Sequence, residues 1–315
     1  MAHTQARVHS LWPHRLALVT AASTLMLIFV GGLVTNTGAG LAVPDWPTTF
    51  GYNMFLYPWS RMVGGIFYEH SHRLIGSTVG ILTVTLALVL WLNDAGRAAR
   101  WLGVAAVGAV VIQGVLGGLR VILMSAGSEF ALIHGLLAQA FFALIVSLVV
   151  CTSQEWKHRP WQVVVADVGM VRRLCLLTTG FLYLQIFFGA MLTHIGDWIL
   201  AHLLCAVLVT ILIWRLATRI LGLHSDQVTL ARPVALLIGL LALQLLLGLG
   251  SYVNRFTSLD IPYSVFTRLA LPTVHRITGT LMLGLCIVLT LRAYRLPASR
   301  QPDAGRELLA ERMRA

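Results

Sequence analysis

Eight apolar stretches constrain this chain more than any single motif does. They run roughly through 16–34, 70–92, 101–119, 131–150, 174–193, 199–219, 233–253 and 272–292. Each is near the length that crosses a hydrocarbon layer about 30 Å thick. Backbone groups in lipid must be paired within the segment, so these stretches are predicted to be helices. Hydrophobic residues make up 57% of the chain and charged residues only 11%, too few charges for the surface of a water-soluble domain of this length. The expected fold is an all-α polytopic membrane protein with eight transmembrane helices.

Charge placement orients it. With the N-terminus in the cytoplasm, only Arg61, Arg73, Arg120, Arg255, Arg268 and Arg276 of the 23 basic residues fall on the outer side. That bias predicts cytoplasmic N- and C-termini. The net charge of +11 then reflects topology and contact with anionic lipid, and calls for no nucleic acid. The four cysteines, Cys151, Cys175, Cys205 and Cys286, avoid the outer loops and lack metal-ligand spacing, so they read as packing residues. Ala39 and Ala42 would suit cleavage of a signal peptide after the first segment, but a repeat described below favours a retained helix.

The connections divide the chain. A long outer loop over 35–68 carries Trp46, Tyr52, Tyr57 and Trp59, which fit either an aromatic belt at headgroup depth or a cover over the bundle mouth. A basic segment at 151–173 is the longest inner connection. The reading is an N-terminal four-helix bundle in 1–150, a cytoplasmic linker in 151–173, a related C-terminal four-helix bundle in 174–292 and a cytoplasmic tail in 293–315.

Two recurring patterns support related bundles. Gln113, Gln185 and Gln244 each precede a glycine by four residues (Gly117, Gly189, Gly248) at the outer end of an odd-numbered helix, and Gly31-Gly32 marks the same depth in the first. Every even-numbered helix carries a histidine near its outer end: His72, His134, His202 and His275. Two of these extend into the strings His72-Arg73-Leu74-Ile75-Gly76 and His275-Arg276-Ile277-Thr278-Gly279. Small and polar residues at helical spacing can be simple packing glue, but recurrence at one depth makes a four-fold internal pattern.

One intramembrane histidine is most often just a hydrogen-bonded polar group. Four at one depth can do more. Two imidazoles facing each other inside a bundle bind an iron porphyrin from both sides, pairing His72 with His134 and His202 with His275. Arg73, Arg120, Arg255 and Arg276 lie where porphyrin carboxylates would emerge. Copper or zinc is the rival cargo, though only His70 and His72 are close in sequence. Glu69 shares a helical face with His72 and is suited to proton transfer beside the first pair, or to pairing with Arg73. A dihaem electron-transfer cytochrome leaves Glu69 without a task. A repeat-built, proton-coupled transporter would place its polar groups deeper.

These residues carry a resemblance. Gly31-Gly32-Leu33-Val34-Thr35-Asn36-Thr37-Gly38, Asp45-Trp46-Pro47, Glu69-x-x-His72-Arg73-x-x-Gly76, His134, His202 and His275-Arg276-x-x-Gly279 resemble the haem A synthase family. The resemblance spans all eight segments. It implies two related four-helix bundles and an oxidoreductase that converts the C8 methyl group of haem O to a formyl group, giving haem A for terminal oxidases. It implies Glu69 as the essential acid, His72 and His134 as axial ligands of the substrate haem, and His202 and His275 as ligands of a haem b cofactor. The partners implied are the haem O synthase that supplies the substrate, an unidentified electron acceptor and the terminal oxidase under assembly. The location implied is the bacterial cytoplasmic membrane, histidines outward, with homo-oligomer formation left open. Many members carry a cysteine pair in the first outer loop; this chain has none in 35–68, so a thiol relay there cannot operate.

Overall fold

The computed structural model describes residues 10–93, 95–158, 167–257 and 264–297. Its long helices are α1 (Trp12–Asn36), α2 (Gly65–Leu92), α3 (Arg97–Ile122), α4 (Gly127–Thr152), α6 (Val168–His194), α7 (Ile199–Leu223), α8 (Val228–Phe256) and α9 (Val265–Arg295), with a short α5 (Gln154–His158) between the halves. All eight long helices are apolar enough to span a membrane, and the protein is a multi-pass membrane protein. Residues 1–9, part of the 151–173 linker and most of the tail at 293–315 lie outside the described residues.

Helix ends extend past the apolar stretches. α2 begins at Gly65 rather than 70, and α6 at Val168 rather than 174. Hydropathy registers only the hydrocarbon-depth part of a helix, while hydrogen bonding continues into the polar zone. Local signals fix the starts: a proline in the first turn of α1, and Ser264 capping α9 by accepting from the Thr267 N–H at 3.1 Å. Buried threonines close their hydroxyls onto carbonyls one turn back, as in Thr24 to Thr20, Thr83 to Val79 and Thr178 to Leu174. These hydroxyls then need no water.

Packing follows the chain. α1 contacts α2 and α4, and α3 contacts α2 and α4, closing a ring; α6, α7, α8 and α9 close a second ring in the same way. This arrangement is consistent with two four-helix bundles. Val79, Leu86, Leu90, Phe141, Ile145 and Leu148 fill the first ring, and Val209, Ile213, Leu216, Leu237, Leu283 and Leu289 the second. α1 and α4 of the first meet α9 and α6 of the second. Ile28, Phe142 and Val146 pack there against Ile277, Ile287 and Val288. Gly284 lets the Phe142 ring approach, since an added Cβ would stand 3.2 Å from it. The outward faces remain apolar, with Leu88, Leu204, Trp214 and Leu246 all exposed. That surface suits lipid.

Consecutive long helices alternate in direction, so the C-terminal ends of α1, α3, α6 and α8 lie beside the N-terminal ends of α2, α4, α7 and α9. This is the histidine end. At the opposite end, α5 is tied to α9 by the Glu155–Arg292 pair at 2.9 Å and by Arg295 stacked 4.3 Å over Trp156. Arg172 caps α9 by donating to the carbonyls of Ala293, Tyr294 and Leu296.

A candidate site of paired histidines

The recurring glycines are seats for the histidine rings. A Cβ added at Gly31, Gly117, Gly189 or Gly248 would lie 3.0, 3.5, 3.1 or 3.1 Å from the Cε1 of His72, His134, His202 or His275, respectively. Each imidazole therefore rests on the bare backbone of the preceding long helix. At Gly31, Gly189 and Gly248 no other residue leaves the ring where it is. The shared depth of the Gln-x-x-x-Gly pattern thus has a contact-level cause.

The rings meet in two pairs across the diagonals of the rings of helices. His72 on α2 faces His134 on α4 with centroids 6.3 Å apart; His202 on α7 faces His275 on α9 at 6.5 Å. Two metal–nitrogen bonds of about 2 Å, plus about 1.1 Å from each nitrogen to its ring centre, would separate two axial imidazoles by about 6.2 Å. The spacing therefore fits one iron between each pair. Among the described residues, no group of three or more His, Cys, Asp or Glu forms a metal cage. A pair without a third protein ligand suits a metal that brings its own equatorial nitrogens, as a haem does. The Nδ1 atoms of His72 and His134 are buried without a partner among the described residues. A Cβ at Gly76 would meet only Leu27 Cδ1, at 3.9 Å, so space beside His72 is open.

Polar groups around the rings differ between the halves. Gln185 Nε2 lies 3.2 Å from both ring nitrogens of His202, and Gln244 Nε2 lies 3.3 Å from His275 Nε2. The Gln244 carbonyl stands 3.2 Å from His275 Nδ1, which favours a proton on that nitrogen and directs Nε2 inward. In the N-terminal half, Gln113 turns its amide to the His134 carbonyl at 3.0 Å, and Leu27 stands at the matching position of α1.

Glu69 is buried and fully engaged. Its Oε1 accepts from Arg73 Nη2 at 2.9 Å and its Oε2 from the Val43 N–H at 2.8 Å. Arg73 also donates to the carbonyls of Asp45, Thr48 and Val43 at 2.7–3.0 Å. The Nη groups of Arg73 thus clamp the outer loop rather than facing the histidine pair. The loop, over 37–64, is further held by Trp46, whose ring lies against bare Gly118 of α3, and by His70. His70 Nδ1 pairs with Thr49 Oγ1 at 3.1 Å, and its ring packs 5.1 Å from Tyr57. Tyr57 is buried whereas Trp59 is exposed, so the loop aromatics divide between packing and surface. Asp45 organises the turn, accepting from Thr48 Oγ1 and the N–H groups of Phe50 and Gly51. Partial burial pushes its carboxyl up, but the hydrogen bonds from Gly51, Thr48 and Phe50 outweigh that and hold it below its ordinary 3.8.

Where the halves meet, Arg276 lies on Gly32 of α1, while Arg120 lies on Gly40 of the outer loop. His194 is the last residue of α6 rather than a loop residue, and Arg276, Arg120, His134 and Arg255 act on it electrostatically. The sequence favours a loop position for His194, with a spare ligand as the alternative; the helix instead extends through it.

Fold and site together define a class: a multi-pass helical membrane protein with two facing histidine pairs at one end. Residues 58–201 match the model of the COX15-CtaA family, described as cytochrome oxidase assembly proteins. The chain is 27% identical over 182 residues to a haem A synthase of Shouchella clausii, covering 57% of this chain and 58% of that one. It is 28% identical over 144 residues to one of Alkalihalophilus pseudofirmus, covering 45% and 47%. It is 34% identical over 131 residues to one of Brucella anthropi, covering 39% and 35%. The chain spans about half the length of the curated relatives it matches. These matches support the haem A synthase family as the one this chain resembles.

Proposed function

We propose that this protein is a haem A synthase: an oxidoreductase that takes haem O as substrate and oxidises its C8 methyl group to a formyl group. The observation that carries the reading is the pairing of four histidines at iron-porphyrin spacing, with a buried carboxylate, Glu69, beside only one pair. In this reading residues 1–150 form the substrate half and 174–292 the cofactor half. His72 and His134 hold the substrate haem. His202 and His275 hold haem b, which supplies one-electron redox chemistry when bound. The protein sits in a bacterial cytoplasmic membrane with its histidine end outward, receives haem O from its synthase, passes electrons to an acceptor and serves terminal oxidase assembly.

Each protein group has a task. Gly31 and Gly117 set the rings of His72 and His134 at the substrate. The 37–64 loop, clamped by Arg73, covers the N-terminal site and limits water entry. Glu69 takes a proton at a carboxylate oxygen as the methyl group is oxidised, with Arg73 and Val43 N–H holding it in place. A dihaem electron-transfer cytochrome is the second reading. It is favoured by the engagement of both Glu69 oxygens in the loop clamp, which gives that residue a structural task.

Pigment chromatography separates the two. Membranes containing the protein and supplied with haem O should accumulate haem A. Bound haem b with no haem A would leave the cytochrome; no haem of any kind would remove both readings.

A further inference from the structure

Arg73 and Arg276 hold the same place in their His-Arg-x-x-Gly strings, yet their guanidinium groups meet different surroundings. The Nη groups of Arg73 are engaged by loop carbonyls and Glu69. Among the described residues, Arg276 makes one long contact, 3.4 Å to Thr35 Oγ1, whose own hydrogen goes to the Gly31 carbonyl at 3.0 Å. Its side chain crosses the seam and lies on Gly32 of α1, where an added Cβ would stand 3.8 Å from Cδ and Nη1. Gly31, the next residue, seats His72. A residue adjacent to one histidine pair therefore reaches the helix that supports the other.

Arg120 approaches from the other half. Its guanidinium lies against Gly40 of the outer loop, where any Cβ would collide with it, and the Glu69 carboxylate of the same half attracts it. His194, at the end of α6, is near enough to Arg276 and Arg120 to feel their charge. A guanidinium has five N–H donors and keeps its charge. Arg276, half-buried and with that single long contact, keeps donors available for an anion. Carboxylates suit them best, because a guanidinium binds a carboxylate with two parallel hydrogen bonds.

We propose that Arg276, Arg120 and His194 form one carboxylate-binding site at the seam, and that Arg276 of the C-terminal half thereby binds the carboxylates of the porphyrin held by the N-terminal pair. The proposal rests on the reading that His72 and His134 hold a porphyrin. It makes the two halves one functional unit, since the substrate half borrows a cation from the cofactor half. A porphyrin on His202 and His275 is the other source of the same carboxylates.

The test compares ferric protoporphyrin IX with its dimethyl ester, which lacks the carboxylates. Binding is read by absorption titration of the full-length protein in detergent. In a His202→Ala background, haem should bind more tightly than the ester, and Arg276→Gln should weaken haem roughly 10–100-fold, the range for a lost charge-assisted hydrogen bond, while leaving the ester unchanged. Arg276→Lys should recover part of the loss, which guards against a folding defect. His194→Ala should weaken haem by a smaller factor in the same direction. Equal loss for haem and ester would overturn the proposal, as would an effect of Arg276→Gln confined to a His72→Ala background. Failure of the His202→Ala protein to bind either porphyrin would instead remove the underlying reading of the N-terminal pair.

Discussion

The two halves share one device and differ in what surrounds it. Both seat two imidazoles on glycines and face them across a ring of four helices at nearly the same spacing, 6.3 and 6.5 Å. In the N-terminal half, α1 and α2 are joined by residues 37–64, folded over the site through Glu69, Arg73, His70 and Trp46. In the C-terminal half, α6 and α7 are joined by 195–198 alone, and the residue matching Arg73 is turned toward the seam. Repetition explains the common scaffold. Specialisation was added at a loop and in the choice of groups around each ring, glutamine amides in one half and a clamped carboxylate in the other.

The largest expected effect from breaking this contrast is at Glu69. Both its oxygens accept hydrogen bonds, so Glu69→Gln sets an NH2 group against either Arg73 or the Val43 N–H. Removing one partner of a buried ion pair costs about 3 kcal/mol. Trypsin should then cut after exposed Arg61 faster than in the parent protein, and haem A output should stop while the C-terminal haem b spectrum persists. Faster cleavage with normal haem A output would make Glu69 a loop anchor alone.

The glycine seats come next. At Gly31 an added Cβ stands 3.0 Å from the ring, whereas at Gly117 it stands at 3.5 Å, an ordinary contact. Gly31→Ala should destabilise the protein by about 1–2 kcal/mol and shift the pigment spectrum, with Gly117→Ala nearly silent in both thermal melts and spectra. Equal behaviour of the two would mean the rings are not held by these seats.

His70→Ala should be milder, about 1 kcal/mol, because it removes one hydrogen bond to Thr49 and a ring contact with Tyr57 while leaving both pairs intact. Pigment content should stay near that of the parent protein. Acid should act more weakly still over the ordinary range. The Asp45 carboxyl is held below 3.8, so its support of the loop is fully present above that pH and is lost only as pH falls through the lower value in the folded protein. Tryptic cleavage of the loop should therefore be unchanged between pH 7 and 5 once corrected for protease activity.

Much of this was legible in the sequence, for reasons that are specific. The helices followed from apolar length, and the facing histidines from repetition at one depth. The Glu69–Arg73 pair follows from their i, i+4 spacing. The other partners of Arg73 did not follow, because helical spacing places a side chain on a face without saying which loop carbonyl arrives there. The glycines of the repeat marked depth, but their contact with the rings depends on the register between neighbouring helices. The seam cluster was hidden for the same reason: Arg120 and Arg276 are 156 positions apart and are brought near His194 only by the docking of one ring of helices on the other.

The central claim is that one scaffold, used twice, holds two different groups. Single alanine variants of the four histidines, purified and scanned for reduced haem absorption, test it most directly. His202→Ala and His275→Ala should lose the haem b spectrum. His72→Ala and His134→Ala should keep most of it while losing haem A production. Equal loss of haem b from all four would contradict the division of labour between the halves.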